Sequence, residues 1–488
     1  MDSVERLFRA FPNPESDEAA TRELGGSDGR FRKFTVRLEN FLQTTSNDPD
    51  HAFLKKHAQV AVFGDYCQDP QYFRSKILQL ALSKTEIPND GSAKSNQLRY
   101  HRWIGQGRKD SDRPFLPIPS ASQGSSSLAH LPAHLMNTQT CATCGSGDAF
   151  ACTGCLVTLD PGHAIFKTVY CSKECQAAHW PQHKTSCAAR KMIGRAAFLL
   201  RDLFVLFQDV NYCSNMAQFR EKDGVMYVFH KGHDEQAFRG TPLIRAFPRG
   251  LTPAEDDYYA CVTVGRSGDS LNELKPVIEF FLKATFCPQI EEIQVDPRNV
   301  HRPMVEIIEQ ATQYSMLKTQ FMLRVRLRSG EEVAIDLAGT QFGWQEPVGP
   351  WAAWETQRVY GQVQSSPIGF SSAQFQQKLE DPTRTAPWHK KVTRFRQGQT
   401  KRMLGAIVDT IKKQQPGTDL SIAKFLKLRD YKSPADEVLR AARQALEAGV
   451  AEIEASKVMR LYWSATQMGL QYQATDTKEQ AKHVPEKV

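Results

Sequence analysis

Seven of the eleven cysteines of this 488-residue chain lie in one short stretch that ends at Cys187. They occur as two Cys-x-x-Cys pairs, a Cys-x-x-x-Cys pair and a final His-x-x-x-Cys pair. Zinc in structural sites is bound by four ligands in a tetrahedral arrangement, and thiolates and imidazoles are its typical ligands. The stretch therefore predicts two closed zinc sites, whose ligands are Cys141, Cys144, Cys152, Cys155, Cys171, Cys175, His183 and Cys187.

Zinc must supply much of the folding free energy here, because so short a stretch has too little apolar content for a core of its own. Each structural zinc contributes roughly 10–16 kcal/mol in small peptides. The competing interpretation is a disulfide framework, which needs an oxidising compartment. The first residues, MDSVERLFRAFPNPESDE, are mixed in charge and lack the apolar region of a signal peptide. The sequence therefore favours metal over disulfides.

The order of these pairs resembles the MYND-type zinc finger, together with the motifs Tyr170-Cys171, Cys175-Gln176, His179-Trp180 and His183-Lys184. The resemblance implies a cross-brace, in which alternate ligand pairs share one ion. It assigns the first zinc to Cys141, Cys144, Cys171 and Cys175. It assigns the second zinc to Cys152, Cys155, His183 and Cys187.

The chain departs from the family pattern between Cys155 and Cys171, where the segment LVTLDPGHAIFKTVY is longer than usual. The insertion does not change the predicted metal ligands. The family pattern does not predict the shape of the surface next to it. The insertion contains His163, which we interpret as a solvated loop residue in preference to a ligand. His179 competes with His183 as a ligand, and the His-x-x-x-Cys spacing favours His183.

The finger must act through its outer face, because closed zinc sites leave no coordination position for catalysis. We predict that Gln176 and Trp180 contact a partner from the short helix that begins at Ser172. The indole either packs beneath the finger or forms one wall of a groove for a proline-rich peptide, and the resemblance favours the groove. The upstream segment Pro114–Pro119 is interpreted as a stiff spacer in preference to an internal ligand of the finger.

Charge and hydropathy narrow the class of partner. The formal net charge is +8, and two zinc sites with seven thiolates bring it to about +8 − 3 = +5. Such a charge, spread over this length, does not predict nucleic-acid binding. No apolar run approaches the roughly 18–20 residues of a membrane helix. We expect a cytoplasmic or nuclear protein that binds a protein or a proline-rich peptide, and no nucleic acid or membrane.

The predicted fold class is α+β, in several domains. The boundaries are a helical N-terminal region at 1–104, a Pro/Ser-rich linker at 105–140, the zinc-stabilised cross-brace finger at 141–187, a mixed α+β domain with a core helix and a hairpin at 188–393, a helical C-terminal region at 394–471 and a disordered tail at 472–488. Helical periodicity supports the terminal regions, and a change in composition marks the linker.

Several elements of the α+β domain and the region after it can be predicted individually. An amphipathic core helix follows Met192 and anchors the finger. MYVFH, YYACVTV and IEEIQV are predicted strands, and MLRVRL with VAIDL forms a hairpin around Ser329-Gly330. LNELKPVIEFFLKAT and PMVEIIEQATQY are predicted helices. A further helix is expected to open at Ser433 and to end near Gly449.

An enzyme is the alternative class of function. The block after the hairpin, from Asp336 through Trp344 with Pro350-Trp351 and Trp354 following, resembles a segment of fungal MYND-finger proteins of obscure function and, more faintly, the acidic strand of papain-like or transglutaminase-like enzymes. The preceding strand has no histidine, and the spacing of Cys261, Cys287 and His301 does not bring a triad together. No Asn-His motif of a SET methyltransferase is present. We therefore predict an adaptor or regulatory scaffold without catalytic residues, and a structural Asp336 that bonds to backbone or to Thr340.

Overall fold

A computed structural model describes the following residues of the protein: 99, 102–103, 106–112, 140–147, 150–155, 165–166, 168–214, 216–222, 224–230, 244–252, 254–282, 287–308, 313–316, 319–380, 387–417, 419–456, 460–466 and 469–475. The segment Pro114–Pro119, His163 and almost all of the predicted N-terminal helical region lie outside these residues.

The described residues fall into two compact units. The smaller unit takes its described residues from 99–112, 216–230 and 298–316. The larger unit takes them from 140–214, 244–297 and 319–475, and it includes the finger.

The helices vary widely in length. They are α1 Lys173–Val210, α2 Glu255–Thr263, α3 Ser267–Glu273, α4 Lys275–Leu282, α5 Trp351–Arg358, α6 Phe370–Glu380, α7 Pro387–Lys413, α8 Ile422–Lys427 and α9 Lys432–Ser456. Helix α1 has 38 residues and is therefore about 57 Å long. It joins the short finger helix and the core helix that the sequence predicts separately. None of the helices in the described residues is long and apolar enough to cross a membrane.

The strands form two larger sheets and two antiparallel pairs. They are β1 Phe150–Ala151, β2 Val169–Tyr170, β3 Met216–Lys222, β4 Val225–His230, β5 Gln289–Pro297, β6 Met304–Ile308, β7 Gln313–Met316, β8 Gln320–Arg326, β9 Glu332–Ile335, β10 Val348–Pro350, β11 Val359–Pro367, β12 Arg460–Thr466 and β13 Gly469–Thr475. The pairs are β1-β2 and β12-β13, and the sheets have the orders β10-β9-β8-β5-β11 and β3-β4-β6-β7. Mixed helices and sheets confirm the α+β class.

The five-stranded sheet of the larger unit is antiparallel throughout and buries both of its faces. On one face Leu323 of β8 and Ile335 of β9 are paired and enter the main core with α1, α4, α7, α8 and α9. On the other face Met322 packs with Trp351 and Trp354 of α5. The alternation of side chains along β8 accounts for this division. The predicted hairpin is confirmed, since β8 and β9 are adjacent and antiparallel.

The smaller unit contains the second sheet, in which β4 and β6 pair in parallel and the outer pairs are antiparallel. Asp110 lies in a short 3₁₀ segment and binds Arg298, with 2.8 Å between Oδ2 and Nη2. The Asp110 amide also donates to Asn299 Oδ1 at 2.9 Å. These bonds fix the segment at 106–112 to the chain just before β6.

Two predicted elements are wrong in type. YYACVTV lies in helix α2, whose first turn carries Glu255, Asp256 and Asp257. These acids favour a helix N-terminus through the helix dipole. PMVEII contains strand β6, which pairs in parallel with β4 from Met226↔Met304 onward. Short apolar runs fit a helix or a strand equally well, so the sheet partner decided the second case.

The C-terminal helices also end differently from the prediction. Helix α9 continues past Gly449 to Ser456. Gly449 is not a cap: a Cβ at this position would collide with the side chain of Gln399 on α7. The absence of a side chain at Gly449 leaves room for the Gln399 amide, which donates to Asn211 and to the Leu446 carbonyl. Beyond α9, where the sequence predicts helix to 471 and a tail from 472, the structure adds the β12-β13 pair.

Candidate metal centre

The two strands of the finger and the start of α1 bring its ligands together. Strands β1 and β2 pair through Phe150↔Tyr170, which places the residues after Tyr170 beside the first cysteine pairs. The Cys152 amide donates to the Thr168 carbonyl at 2.8 Å. Ser172 caps α1 by accepting a hydrogen bond from the Cys175 amide at 3.2 Å. Backbone hydrogen bonds thus position Cys152 and Cys175.

The first cluster consists of Cys141, Cys144, Cys171 and Cys175. The Sγ–Sγ distances are 3.3 Å from Cys144 to Cys171, 3.5 Å from Cys171 to Cys175 and 3.9 Å from Cys175 to Cys144. Four sulfurs around one zinc, at bonds of about 2.3 Å, lie about 3.8 Å apart. Cys144 is exposed while Cys141 is buried, so this cluster lies at the surface of the finger.

The second cluster consists of Cys152, Cys155, His183 and Cys187, and all four residues are buried. The Sγ atoms of Cys152 and Cys187 are 4.0 Å apart, and Cys155 Sγ lies 3.5 Å from His183 Nε2. A sulfur and a nitrogen on one tetrahedral zinc are about 3.6 Å apart. The glycine at position 154 leaves room for the Cys187 thiol, since a Cβ there would lie 2.9 Å from Cys187 Sγ.

Both clusters fit zinc in donor type, number and separation. Within each cluster the ligand atoms lie within 4.8 Å of one another. The two clusters could each bind one zinc, in the cross-braced grouping that the resemblance implies. With four protein ligands each, the sites are closed and structural in type.

Helix α1 fixes the distance between the two clusters. Cys175 belongs to the first cluster, and His183 and Cys187 belong to the second. His183 follows Cys175 by eight residues, which is about 12 Å along a helix axis. His183 and Cys187 are four residues apart and therefore share one helix face. Pro181 lies between them and Cys175, and it removes one backbone donor from the helix.

His179 lies next to the second cluster and outside it. Its Nδ1 atom is 3.0 Å from the hydroxyl of Tyr170, and its ring stacks on His183 with centroids 5.5 Å apart. Tyr170 is completely buried. His179 therefore packs the metal ligand from one side, and the histidine in the cluster is His183, as the His-x-x-x-Cys spacing predicts.

Arg190 is a residue of this site that the sequence analysis missed. Its Nε donates to Glu331 at 3.0 Å, and its Nη1 donates to Thr168 Oγ1 at 2.8 Å. The pKa of the Cys155 thiol is lowered to about 4, first by a hydrogen bond with Cys187, against the opposing effect of burial, and then by His183 and Arg190. Arg190 offsets the negative charge of a three-thiolate site. Its position three residues after the last ligand, on the same helix face, was the available signal.

The two predicted contact residues differ in exposure. Trp180 is 45 % exposed, with its ring edge-on to His183 at 6.1 Å. Gln176 is half-buried and points its Nε2 at Cys152 Sγ, 3.8 Å away. The indole is therefore available at the surface, while the amide also touches a metal ligand. Phe150 is a second exposed aromatic residue of the finger, at 42 %.

The block around Asp336 has the structural role that the sequence predicts. The buried Asp336 accepts hydrogen bonds from Gln320 Nε2 at 2.5 Å and from the Ala338 amide at 3.0 Å. Gln341 donates to Gln320 Oε1 at 2.6 Å and accepts from the Gly265 amide at 2.9 Å. These bonds tie the hairpin to the loop after α2.

The structure describes the surroundings of Thr340 and of both cysteines that the enzyme alternative considers. Thr340 bonds to Thr263 Oγ1 at 3.0 Å instead of to Asp336. Burial raises the pKa of the Cys287 thiol to about 12, which is the opposite of an activated nucleophile. Cys261 is likewise buried.

Comparison with known proteins supports the identity of the finger. Residues 141–187 match the family model described as MYND finger. No curated protein matches the chain, and no solved structure matches it. The MYND finger binds zinc and generally mediates protein interactions, and the match is confined to these residues.

Proposed function

We propose that the chain is an adaptor or regulatory scaffold, whose finger recruits a protein partner in the cytoplasm or nucleus. The observation that carries the proposal is the exposed indole of Trp180 on a helix that is held by both zinc clusters. Contact between water and an exposed apolar indole is unfavourable, so a partner that covers the indole stabilises the complex. The rigid helix limits the entropy lost when the partner binds.

A proline-rich segment of the partner suits this surface. Ring contacts connect its two exposed aromatic residues: Phe150 to Tyr170 at 6.4 Å, Tyr170 to His183 at 6.1 Å and His183 to Trp180 at 6.1 Å. An extended proline-rich peptide packs its rings against aromatic walls and is already ordered before binding. The amide oxygen of Gln176 would accept a hydrogen bond from the backbone of the peptide, since its nitrogen faces Cys152.

A protein partner is favoured over nucleic acid by the charge of the finger helix. Its first turns, from Ser172 to His179, carry Lys173 as the one lysine or arginine and Glu174 beside it. Fingers that read bases present several basic residues along an exposed helix. The same turns therefore suit a neutral, apolar ligand.

The test compares Gln176→Ala and Trp180→Ser with the wild-type full chain in affinity purification, with zinc measured in each preparation. Captured partners are then titrated by calorimetry. Loss of one buried hydrogen bond weakens binding by about 1–2 kcal/mol, which is roughly five- to thirtyfold. We expect both variants to retain two zinc ions and to bind more weakly.

Two matched controls complete the design. Gln182→Ala changes the same residue type at an exposed position of the same helix, and Phe370→Ser removes an exposed aromatic residue outside the finger. Both controls should bind as wild type does. Unchanged binding by Gln176→Ala and Trp180→Ser, with both zinc ions present, would place the binding face elsewhere, and the insertion at 156–170 would be tested next.

A further inference from the structure

A cleft of about 390 Å³ lies in the larger unit, among α1, α2, α9 and the 3₁₀ turn at Arg249–Leu251. It involves no metal ligand and no residue of the proposed partner surface. Sites for small molecules typically have volumes of this size and combine an apolar lining with a few polar groups.

The floor and one wall of the cleft are apolar. Val205 and Leu206 of α1 are buried, and Leu439 of α9 lies half-buried opposite them. Tyr258 and Tyr259 of α2 form the wall, with ring centroids 5.3 Å apart. Burial raises the pKa of Tyr258 to about 12, so its hydroxyl stays protonated at neutral pH. An apolar or aromatic group therefore has surfaces to contact on two sides.

Three arginines line the same cleft. Arg249 lies over the Tyr258 ring at 3.8 Å from its centroid, and its side chain is 62 % exposed. The side chain of Arg443 is 42 % exposed. Arg440 is exposed on α9 and has no ion-pair partner within the part of the chain that the structure describes. All three guanidinium groups retain donors that face solvent.

The acidic residues of the cleft are already neutralised. Asp202 accepts from Arg201 Nη2 at 2.7 Å. Asp209, behind the lining, accepts from Arg443 at 3.2 Å and lies 3.8 Å from Arg249. Glu447 also pairs with Arg443, with 3.5 Å between Oε1 and Nη1, so these four guanidinium groups, Arg440 included, face three carboxylates, which leaves a local excess of one positive charge. The nearby carboxylates of Glu255 and Asp436 are exposed, and solvent screens them.

We propose that this cleft binds an organic phosphate, in which Arg249, Arg440 and Arg443 hold the phosphoryl group and the apolar floor and tyrosine wall hold the group attached to it. Guanidinium forks match phosphate oxygens and form strong charge-assisted hydrogen bonds. One water molecule occupies only about 30 Å³. An inorganic phosphate ion, with five heavy atoms, would therefore leave most of the cleft unfilled. The ligand is a free phosphate ester or a phosphorylated side chain of another protein.

The test titrates the zinc-loaded full chain by calorimetry with phenyl phosphate, inorganic phosphate, benzoate and a phosphotyrosyl peptide. We expect phenyl phosphate to bind at least roughly tenfold more tightly than inorganic phosphate or benzoate, because only it uses both halves of the cleft. Tighter binding of the peptide than of phenyl phosphate would identify a protein source. Equal or weaker binding of the peptide would identify a free ester.

Arg440→Glu is the informative variant, because none of the residues that the structure describes forms an ion pair with Arg440. It should weaken phenyl phosphate binding roughly tenfold or more. Arg402→Glu on α7 is the matched control, at a surface arginine that pairs with Glu452 outside the cleft. Its binding should equal that of wild type. Benzoate that binds as tightly as phenyl phosphate, or an Arg440→Glu protein that binds as wild type does, would overturn the proposal.

Discussion

Arg190 and Glu331 form a buried ion pair, with 3.0 Å between Nε and Oε2, that joins the zinc finger to the turn of the β8-β9 hairpin. Their side chains are only 5 % and 4 % exposed, and they are 141 residues apart in the sequence. Arg190 lies on α1 and also donates to Thr168 of the finger, so this side chain connects the helix and the finger to the hairpin turn. Metal loading and stability of the larger unit should therefore depend on each other.

The first prediction concerns this ion pair. Arg190→Met leaves Glu331 buried without its partner, which typically lowers the free energy of unfolding by about 3–5 kcal/mol. The change should also speed the release of zinc to a chelator, because the charge beside Cys155 is lost. Denaturant unfolding and zinc-release kinetics measure the two effects.

The controls for this prediction separate burial from charge. Arg326→Ala breaks an exposed pair with Glu332 and should change the free energy of unfolding little, because solvent screens that pair. The double variant Arg190→Met/Glu331→Met should be less destabilised than the sum of its single variants, since it leaves no unpaired charge. Additive losses would show that the two residues stabilise the protein independently.

The second prediction is the zinc content. Wild-type protein should hold two zinc ions, and Cys175→Ala should lose at least one, because three ligands do not close the first cluster. Most helical signal in circular dichroism should remain, since α1 is packed in the main core from Ala189 onward. Cys213→Ser, a cysteine outside both clusters, should keep both ions. A wild-type content of one ion would contradict the paired clusters.

The third prediction concerns pH. Burial, opposed by Arg358 and the hydrogen bonds of Asp336, raises the pKa of that carboxyl to about 6. Its unfolded pKa is about 3.9, so between about pH 4 and 6 the folded state keeps a proton that the unfolded state releases. The contribution of Asp336 to the free energy of unfolding is therefore fully present below pH 4 and decreases as the pH rises towards 6. Above pH 6 ionisation costs about 3 kcal/mol.

Asp336→Asn removes this cost and retains the oxygen that accepts from Gln320 and Ala338. The free energy of unfolding of the variant, relative to wild type, should rise by up to about 3 kcal/mol between pH 4 and 6. Urea unfolding of both proteins at a series of pH values measures this difference. Zinc release affects wild type and variant alike, so its effect cancels in the difference. A difference that does not change with pH would refute the assignment.

The fourth prediction compares two glycines inside helices. Gly449→Ala should lower stability by about 1–3 kcal/mol, because the new methyl group displaces Gln399, whose Nε2 donates to Asn211 Oδ1 and to the Leu446 carbonyl at 2.9 Å each. Gly405→Ala, where a Cβ meets nothing within 4 Å, should raise stability by about 0.5–1 kcal/mol. Thermal unfolding of the two variants checks both signs. A stabilising Gly449→Ala would show that Gln399 moves without loss.

The sequence by itself determined the metal chemistry of the finger. Ligand type and spacing are local properties, because Cys-x-x-Cys and His-x-x-x-Cys pairs reach one ion whatever surrounds them. The β8-β9 hairpin was equally local, since alternating apolar residues flank Ser329-Gly330. The sequence also predicted a structural role for Asp336, because the neighbouring strand has no histidine.

Tertiary structure alone decided the features that depend on residues far apart in the chain. Met304 to Ile308 became a strand because β4 offers a parallel partner, and Gly449 leaves room for Gln399 of α7 instead of ending a helix. Arg190 gained its role from Glu331, which no local pattern predicts. The arginine cleft likewise combines α1, α2 and α9. Periodicity and spacing describe single elements, whereas burial and charge pairing depend on which elements meet.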